Sequence, residues 1–485
     1  MPGLVLAAVL SLAACGSSGG GGGGVESAAS LATPAAASGA ALRRQGNWLI
    51  DADNRVVMLH GVNVVWKLAP YYPPDSAAGF GAADADFLAA NGFNVVRLGV
   101  LFAGVMPQRG VIDQNYLDQI DRVVQLLAAR QIRVLLDFHQ DQYNEKFQGE
   151  GFPDWAVPRQ ILPDDAKYGF PLDEFISLAL NGVYDQLWAD NGALWAQYQN
   201  MAAAVAARWS GQPYLLGYDL LNEPWPGTLW ATCFEIDCPV FDSILKKFQE
   251  SALAGVRTAD SSHLAYFEPQ QLFDFGAPSR MGAVDDPQLG LSWHAYCSAE
   301  LLASTGLPDL PDCLIIEPRD FANAAAQISQ LGAVSLLTEF GASDDQDDIG
   351  RVAGLADQHL TSWIYWAYKN YDDPTGSASE GLFSNDADLS TLKPKADLLI
   401  RPYPQAIAGT PTALSFNTTS KAFSLSYAPN ASTAPTLIFV PSLQYPNGYQ
   451  VSVQGGTVLS AAGAPLLQIA NTPGAAQVQV QLSPP

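Results

Sequence analysis

The sequence predicts a (β/α)8 TIM barrel followed by a small C-terminal all-β sandwich. Three observations carry this expectation. Eight short, β-rich apolar runs recur between residues 56 and 369. Helical periodicity fills several of the gaps between them. After Pro404 the texture changes: Thr, Ser, Pro and Asn rise, and period-two alternation replaces the helical pattern.

The runs are 56–63, 94–100, 133–139, 215–223, 263–269, 289–296, 335–341 and 363–369. Most are continuously apolar, as parallel strands buried on both faces should be. Tyr116, Leu117, Ile120, Val123, Val124 and Leu127 fall at helical spacing, and 194–209, 241–256 and 321–331 read the same way. Strand alternating with helix in this way is the pattern of a closed parallel barrel. The barrel is placed at 46–402 and the sandwich at 403–485. In the sandwich, 423–427, 437–440, 449–453 and 477–482 alternate, and Asn447-Gly448 is a hairpin signal. With no clear aromatic platform, this second domain reads as a packing module.

Residues 1–15 read as a signal segment. Leu4 to Ala14 is apolar but too short to span a bilayer. It ends in Leu12-Ala13-Ala14-Cys15, which resembles a bacterial lipobox, where Cys15 would carry a lipid and become the mature N-terminus. Residues 16–45 are rich in Gly, Ala and Ser and read as a flexible tether. No Lys or Arg precedes the apolar run, so a plain cleaved signal is the alternative. The expected destination is export, as a cell-envelope lipoprotein attached to the membrane through Cys15 or as a secreted protein.

Lys and Arg number 24 against 48 Asp and Glu, a net charge of −24. So acidic a chain disfavours nucleic acid and anionic membranes as partners and suits a neutral substrate such as a sugar. The 11 Trp residues fit sugar faces too, although large barrels carry many core aromatics anyway. Apart from Cys15, the cysteines are Cys233, Cys238, Cys297 and Cys313. Export permits disulfides. Four cysteines allow three connectivities, and the local pairing, Cys233 with Cys238 and Cys297 with Cys313, is expected. A zinc site is the rival, but no spacing matches a closed site with His partners. No metal or cofactor motif is visible. The oligomeric state is open, with a monomer favoured.

Three long insertions follow the third, sixth and eighth runs, at 140–184, 297–319 and 370–389. They lie on the side where barrel strands end, and barrel enzymes build their sites there. Chemistry-capable side chains also sit at nearly every strand end: Arg97, Asp137, His139, Asn222, Glu223, His294, Tyr296, Glu339 and Trp366. Any one alone reads equally well as a satisfied core polar residue; their coincidence at one face does not. Glu223 ends an apolar strand beside Trp225, where desolvation favours a protonated carboxyl suited to a general acid. Glu339 lies on the facing seventh strand, where Arg97 and Tyr296 would hold it anionic. Glu268, at the end of the fifth strand, is the main competing carboxylate. Two such carboxyls roughly 5–5.5 Å apart are what a retaining glycosidase needs. Asn222 is then a candidate partner for the sugar 2-OH, and Trp366 a candidate stacking surface.

The segments Asn222-Glu223-Pro224, Trp293-His294-Ala295-Tyr296, Thr338-Glu339-Phe340-Gly341 and Trp363-Ile364-Tyr365-Trp366 resemble glycoside hydrolase family 5. That resemblance maps the family's Arg, His, Asn, acid/base Glu, His, Tyr, nucleophile Glu and Trp onto Arg97, His139, Asn222, Glu223, His294, Tyr296, Glu339 and Trp366. More narrowly, His60-Gly61-Val62-Asn63 with Trp66-Lys67, Asp137-Phe138-His139-Gln140-Asp141, 149–155 and 222–227 are similar to the bacterial endoglycoceramidase group. The resemblance covers about 45–485 and implies Lys67, Asp137 and Gln140 as grips for sugar hydroxyls. Lys67 reads equally as a surface ion-pair residue. The substrate implied is a glycosphingolipid, cut between its oligosaccharide and ceramide. A cellulase-like β-glucanase acting on other β-glycosides is the alternative within the class, and a non-catalytic glycolipid-binding lipoprotein the alternative outside it. The lipid reading also predicts an apolar channel leading from Glu223. Its walls are expected from the loops after the third, sixth and eighth strands, with Phe147, Phe152 and Trp155 as candidates.

Overall fold

The computed structural model describes residues 41–158, 167–189, 192–233, 237–297 and 312–485. Cys15, the signal segment and most of the tether lie outside the described residues. So do parts of the insertions after the third and sixth strands.

Eight parallel strands form a closed barrel: β1 (His60–Val64), β2 (Val95–Gly99), β3 (Arg133–Asp137), β4 (Leu215–Asp219), β5 (Leu264–Phe267), β6 (Leu289–Ala295), β7 (Val334–Phe340) and β8 (Ser362–Tyr365). Each pairs with its sequence neighbour, and β8 closes on β1. Strand residues are buried almost throughout, which is why these runs lack polar alternation.

Helix α1 (Gln114–Ala128) buries Tyr116, Leu117, Ile120, Val123, Val124 and Leu127, and Asp113 caps its first turn. Helices α2 (Ala193–Trp209) and α3 (Pro239–Arg257) match their expected spans to within two residues. Helix α4 (Cys313–Leu331) starts eight residues before the expected 321. Asp312 caps it, and Pro318 lies inside it near the N-terminal end. The packed helix tolerates the one backbone bond that Pro318 cannot make.

The first expected strand, 56–63, divides in two. Val56–Val57 pairs antiparallel with Tyr403–Ile407 of the C-terminal region, and the barrel strand starts only at His60. Arg43–Gln45 and Trp48–Ile50 join the same seven-stranded sheet. The end of the segment read as a flexible tether therefore supplies one strand to the sandwich, and the start of the segment read as the barrel domain supplies two more. A continuous apolar run does not reveal that its two halves face different cores. The sandwich's second sheet has four strands, and Phe423, Leu425, Tyr427, Val478, Val480 and Leu482 of that sheet pack on Ile50, Val56, Tyr403, Ile438 and Ile469 of the first. The Asn447-Gly448 signal is a turn, with the Gly448 N–H donating to the Tyr445 carbonyl. It does not close a hairpin: the following strand, Gln450–Gln454, pairs with Val478–Ser483 in the other sheet. Turn chemistry sets the local reversal, whereas burial of the alternating face chooses the partner.

The sandwich docks on the barrel through buried contacts. Arg401 pairs with Asp357 of helix α5 (Gln346–His359), and the Tyr403 hydroxyl donates to the Gly92 carbonyl. The His60 ring stacks between Trp363 and Tyr403. Among the described residues, no helix is long and apolar enough to cross a membrane.

Two disulfides form, Cys233–Cys238 and Cys297–Cys313. The second bridges residues 16 apart and staples the end of β6 to the start of α4. Cross-linking a loop of this size removes roughly 3 kcal/mol of unfolded-state freedom. Replacing Cys297 and Cys313 by serine should therefore lower Tm by several degrees, read by a thermal melt. The Cys233–Cys238 pair, only five residues apart, should matter less.

Candidate active site

The site is built over a buried cation. Arg97 of β2 is fully buried, and all five of its N–H groups are used. Nε donates to Asp219 at 2.9 Å. Nη1 donates to Asn63 at 3.2 Å and to Glu339 Oε1 at 2.5 Å. Nη2 donates to Asp137 at 3.0 Å and to Asn222 at 2.7 Å. One guanidinium thus ties the ends of β1, β2, β3, β4 and β7 together and aims one N–H at a reacting carboxylate. Asn63 and Asp219 were not singled out from sequence; inside apolar runs, nothing local marks them as partners of Arg97.

Glu223 follows β4 with a backbone φ of +41°, a region that disfavours side chains. Three bonds hold it there. Its N–H donates to Glu268 Oε1 at 2.7 Å. Gln140 Nε2 donates to the carbonyls of Asn222 and Glu223, at 2.8 and 3.0 Å. Glu268 is therefore the anchor of the acid/base backbone rather than its competitor. Its other oxygen lies 3.8 Å from Arg97. The Glu223 side chain accepts from Gln271 Nε2 at 3.0 Å and lies 2.8 Å from His294 Nδ1.

Glu339 ends β7 just past a register shift between Leu337 and Glu339, a local irregularity of the kind that re-aims side chains beside active sites. Its second oxygen accepts from the Tyr296 hydroxyl at 2.8 Å. One oxygen of Glu223, one of Glu339 and a ring nitrogen of His294 all lie within 4.8 Å of one another. So close an approach of the two carboxyls fits a retaining pair better than the wider inverting arrangement.

Burial pushes both carboxyls up. Glu223 rises to about 8, burial first and the charge of Asp141 second, against the cations His139, Lys67 and Arg97. Glu339 is also raised by burial, opposed by His294 and Arg97. Two donors, Arg97 and Tyr296, meet its two oxygens, and such bonding favours the ionised form. Glu223 holds its proton at neutral pH and Glu339 is the carboxylate. Burial pushes His294 down to about 4, so it stays neutral between them. For His139 burial opposes protonation, but Asp137 and Asp141 prevail and raise it to about 10.

The two glutamates open onto a cavity of about 230 Å3. One part of its wall is polar: Lys67, His139, Asp141, Thr375, Ser377 and Glu380, with Trp366. Lys67 Nζ is buried there, donating to Asp141 at 2.5 Å and to Thr375 at 2.7 Å, and it lies 4.5 Å over the Trp366 ring. It is a cavity cation, not a surface ion pair. Phe170, Pro171, Phe275, Ala342 and Tyr296 supply apolar surface, with the polar Gln271 and Asp274 beside Phe275.

Asp137 and Gln140 do not reach this cavity. Asp137 is fully buried on Arg97 and His139. Gln140 spends both its amide hydrogens on backbone carbonyls and its oxygen on Tyr143 and Tyr184. Both support the site rather than grip sugar. Asn222 lies beneath the cavity too, bonded to Arg97 and the Gln140 carbonyl. Phe147, Phe152 and Trp155 pack inside rather than line the cavity: Phe152 stacks on Tyr143 of the same insertion, and Trp155 donates to the Met106 carbonyl of the loop after β2. The apolar wall comes instead from the loops after β3, β5 and β7. Gln271, Asp274 and Phe275, in the single turn Gln271–Phe275 after β5, escaped the sequence reading because that segment carries no motif.

Among the described residues, three sets of side chains are close enough to hold a metal, and each is already engaged. Cys297 and Cys313 are bonded to one another, Lys67 neutralises the His139–Asp141–Glu150 set, and Arg97 binds Glu339 in the third.

The sequence profile described as cellulase, glycosyl hydrolase family 5, matches residues 50–372. This chain belongs to glycoside hydrolase family 5. The profile of the family 5 C-terminal domain matches 401–482. Endoglycoceramidase I of Rhodococcus hoagii (strain 103S) is 34% identical over 92% of this chain and 88% of its own length. Endoglycoceramidase of Cyanea nozakii is 28% identical, covering 84% of this chain and 85% of its own. The solved structure of endo-glycoceramidase II from Rhodococcus sp. as a lactosyl-enzyme intermediate superposes with a TM-score of 0.75 at 27% identity, over 90% of this chain and 99% of that one. The same enzyme has been solved with ganglioside GM3, with a TM-score of 0.76. As a family 5 member the chain is a retaining glycoside hydrolase.

Proposed function

We propose that this enzyme hydrolyses the β-linkage between the oligosaccharide and the ceramide of glycosphingolipids, with Glu339 as nucleophile and Glu223 as acid/base. The mixed lining of the cavity carries the reading. Lys67, Asp141 and Thr375 cluster by the Trp366 face, and Phe170, Pro171 and Phe275 add apolar surface to the same lining. A polymer of sugars needs polar, aromatic platforms throughout; a bond between sugar and lipid needs polar and apolar surface together. The insertion after β3 also exposes Tyr168, Ile176 and Leu178, which extends the apolar character outward. Likeness to endoglycoceramidases along nearly the whole chain supports the same substrate.

The test compares lactosylceramide with cellotetraose. Three methylenes seated on the apolar wall, at about 0.8 kcal/mol each, give a preference of roughly fiftyfold in kcat/KM. Equal turnover of the two substrates would instead favour a cellulase-like β-glucanase. Turnover of neither would favour a binder.

We also propose that the enzyme is exported, tethered by a lipid on Cys15 and monomeric. The apolar segment ending in Leu12-Ala13-Ala14-Cys15 supports the first two points, as do two disulfides that need an oxidising compartment. Detergent phase partitioning of the full chain and of Cys15→Ala checks the anchor, and light scattering checks the monomer.

A further inference from the structure

Five carboxylates line the cavity, and four are matched by donors. Asp141 has Lys67 and Thr375, Glu223 has Gln271, Glu339 has Arg97 and Tyr296, and Glu380 has the Ser377 N–H and Trp366 Nε1. The fifth, Asp274, has no hydrogen-bond donor among the described residues. Yet it is only 7% exposed. The nearest cationic candidate is His294 Nδ1 at 4.0 Å, and that ring is neutral. A largely buried carboxyl that spends neither oxygen on the protein is available to a ligand. This one faces the cavity.

Its position says what it faces. Asp274 shares the turn Gln271–Phe275 with Gln271, which holds Glu223 Oε2, and with Phe275 of the apolar wall. Glu223 and Asp274 both lie within 4.0 Å of the same nitrogen of His294. Asp274 therefore sits beside Glu223, the group assigned to protonate the leaving oxygen, and next in the chain to Phe275 of the apolar lining.

We propose that Asp274 is the group that reads the polar head of the leaving group. The inference rests on the glycosphingolipid reading. In ceramide, an amide N–H and a hydroxyl lie one and two carbons beyond the carbon bearing the oxygen that Glu223 protonates. A carboxyl next to Glu223 is placed to bond them while the chains lie along Phe170, Pro171 and Phe275. Burial and the charges of Glu223, Asp320 and Glu339 push the Asp274 carboxyl well above its ordinary range. In that state it offers both a donor and an acceptor to a head that carries both. A leaving group that lacks the amide and the hydroxyl forgoes these bonds, which adds selectivity for ceramide.

The experiment measures kcat/KM for the full enzyme, Asp274→Ala and Asp274→Asn. The substrates are lactosylceramide and an aryl β-lactoside, which shares the sugar but has neither amide nor hydroxyl near the cleaved bond. Asp274→Ala should lose about ten- to a hundredfold on the lipid, the scale of one strong hydrogen bond, and change less than about threefold on the aryl glycoside. Asp274→Asn, which keeps an acceptor and a donor, should recover part of the lipid activity. Equal losses on both substrates would make Asp274 a structural or tuning residue and overturn the inference, as would no loss on the lipid. A wild-type enzyme that cleaves the aryl lactoside but not lactosylceramide would overturn the glycosphingolipid reading itself, and the role of Asp274 with it. These failures are distinguishable because the first two leave the wild type active on the lipid.

Discussion

Replacing Glu223 with glutamine should slow hydrolysis of lactosylceramide by about two to four orders of magnitude, the usual contribution of a placed general acid. The same change should spare the first step for a dinitrophenyl glycoside, whose leaving group departs without a proton. The second step would still lack its base, so a burst of phenol should precede a slow steady state. Azide, which needs no base, should restore turnover. The pH profile carries the same information. Step one needs the proton on Glu223, which the folded protein holds to about pH 8. Wild-type kcat/KM should therefore fall as pH rises through about 8, and this alkaline limb should vanish in Glu223→Gln. A variant equally slow on both leaving groups, with no burst, would refute the assignment.

Glu339→Gln should be the more damaging change, with a loss of at least about four orders of magnitude on every substrate, whatever the leaving group. No burst is expected, because no glycosyl-enzyme can form. A 2-deoxy-2-fluoro glycoside should label the wild type at Glu339, seen as an added mass on that peptide, and leave the variant unlabelled. The variant should still fold, since Arg97 keeps Asp137 and Asp219 as buried counter-charges. A thermal melt within a few degrees of wild type checks this. Label on Glu268 instead would reverse the roles given to the two carboxyls, but Glu268 is occupied with the Glu223 N–H and lies below the cavity.

Much of this site was legible before any geometry. Glu223 and Glu339 stand out because an ionisable residue ending a long apolar run is costly to bury and is kept there for chemistry. The barrel was legible for a related reason. Continuous apolar runs of strand length have few ways to bury both faces, and a closed parallel barrel is one of them. The cysteine pairing also came through, because short separations leave little freedom.

What sequence could not show is which side chains face the cavity and which support it from below. Asp137 and Gln140 sit in the same motif as His139, but the first is fully buried on Arg97 and the second clamps the backbone of Glu223. Their types suit sugar hydroxyls as well as they suit protein groups. Phe152 and Trp155 were equally ambiguous, and their own loop claimed them.

By itself, then, the sequence determined the barrel and its eight strands, the meeting of Glu223 and Glu339 at one end of it, and the two disulfides. Each of these follows from local pattern or short separation. Tertiary structure alone decided that 43–57 joins the distant sandwich, that Arg97 gathers the ends of five strands, and that Asp274 lacks a partner beside the acid/base. The reason is physical. Whether a buried polar group is satisfied depends on donors and acceptors far away in the chain, and chain closure brings them within hydrogen-bonding distance only once the barrel is complete.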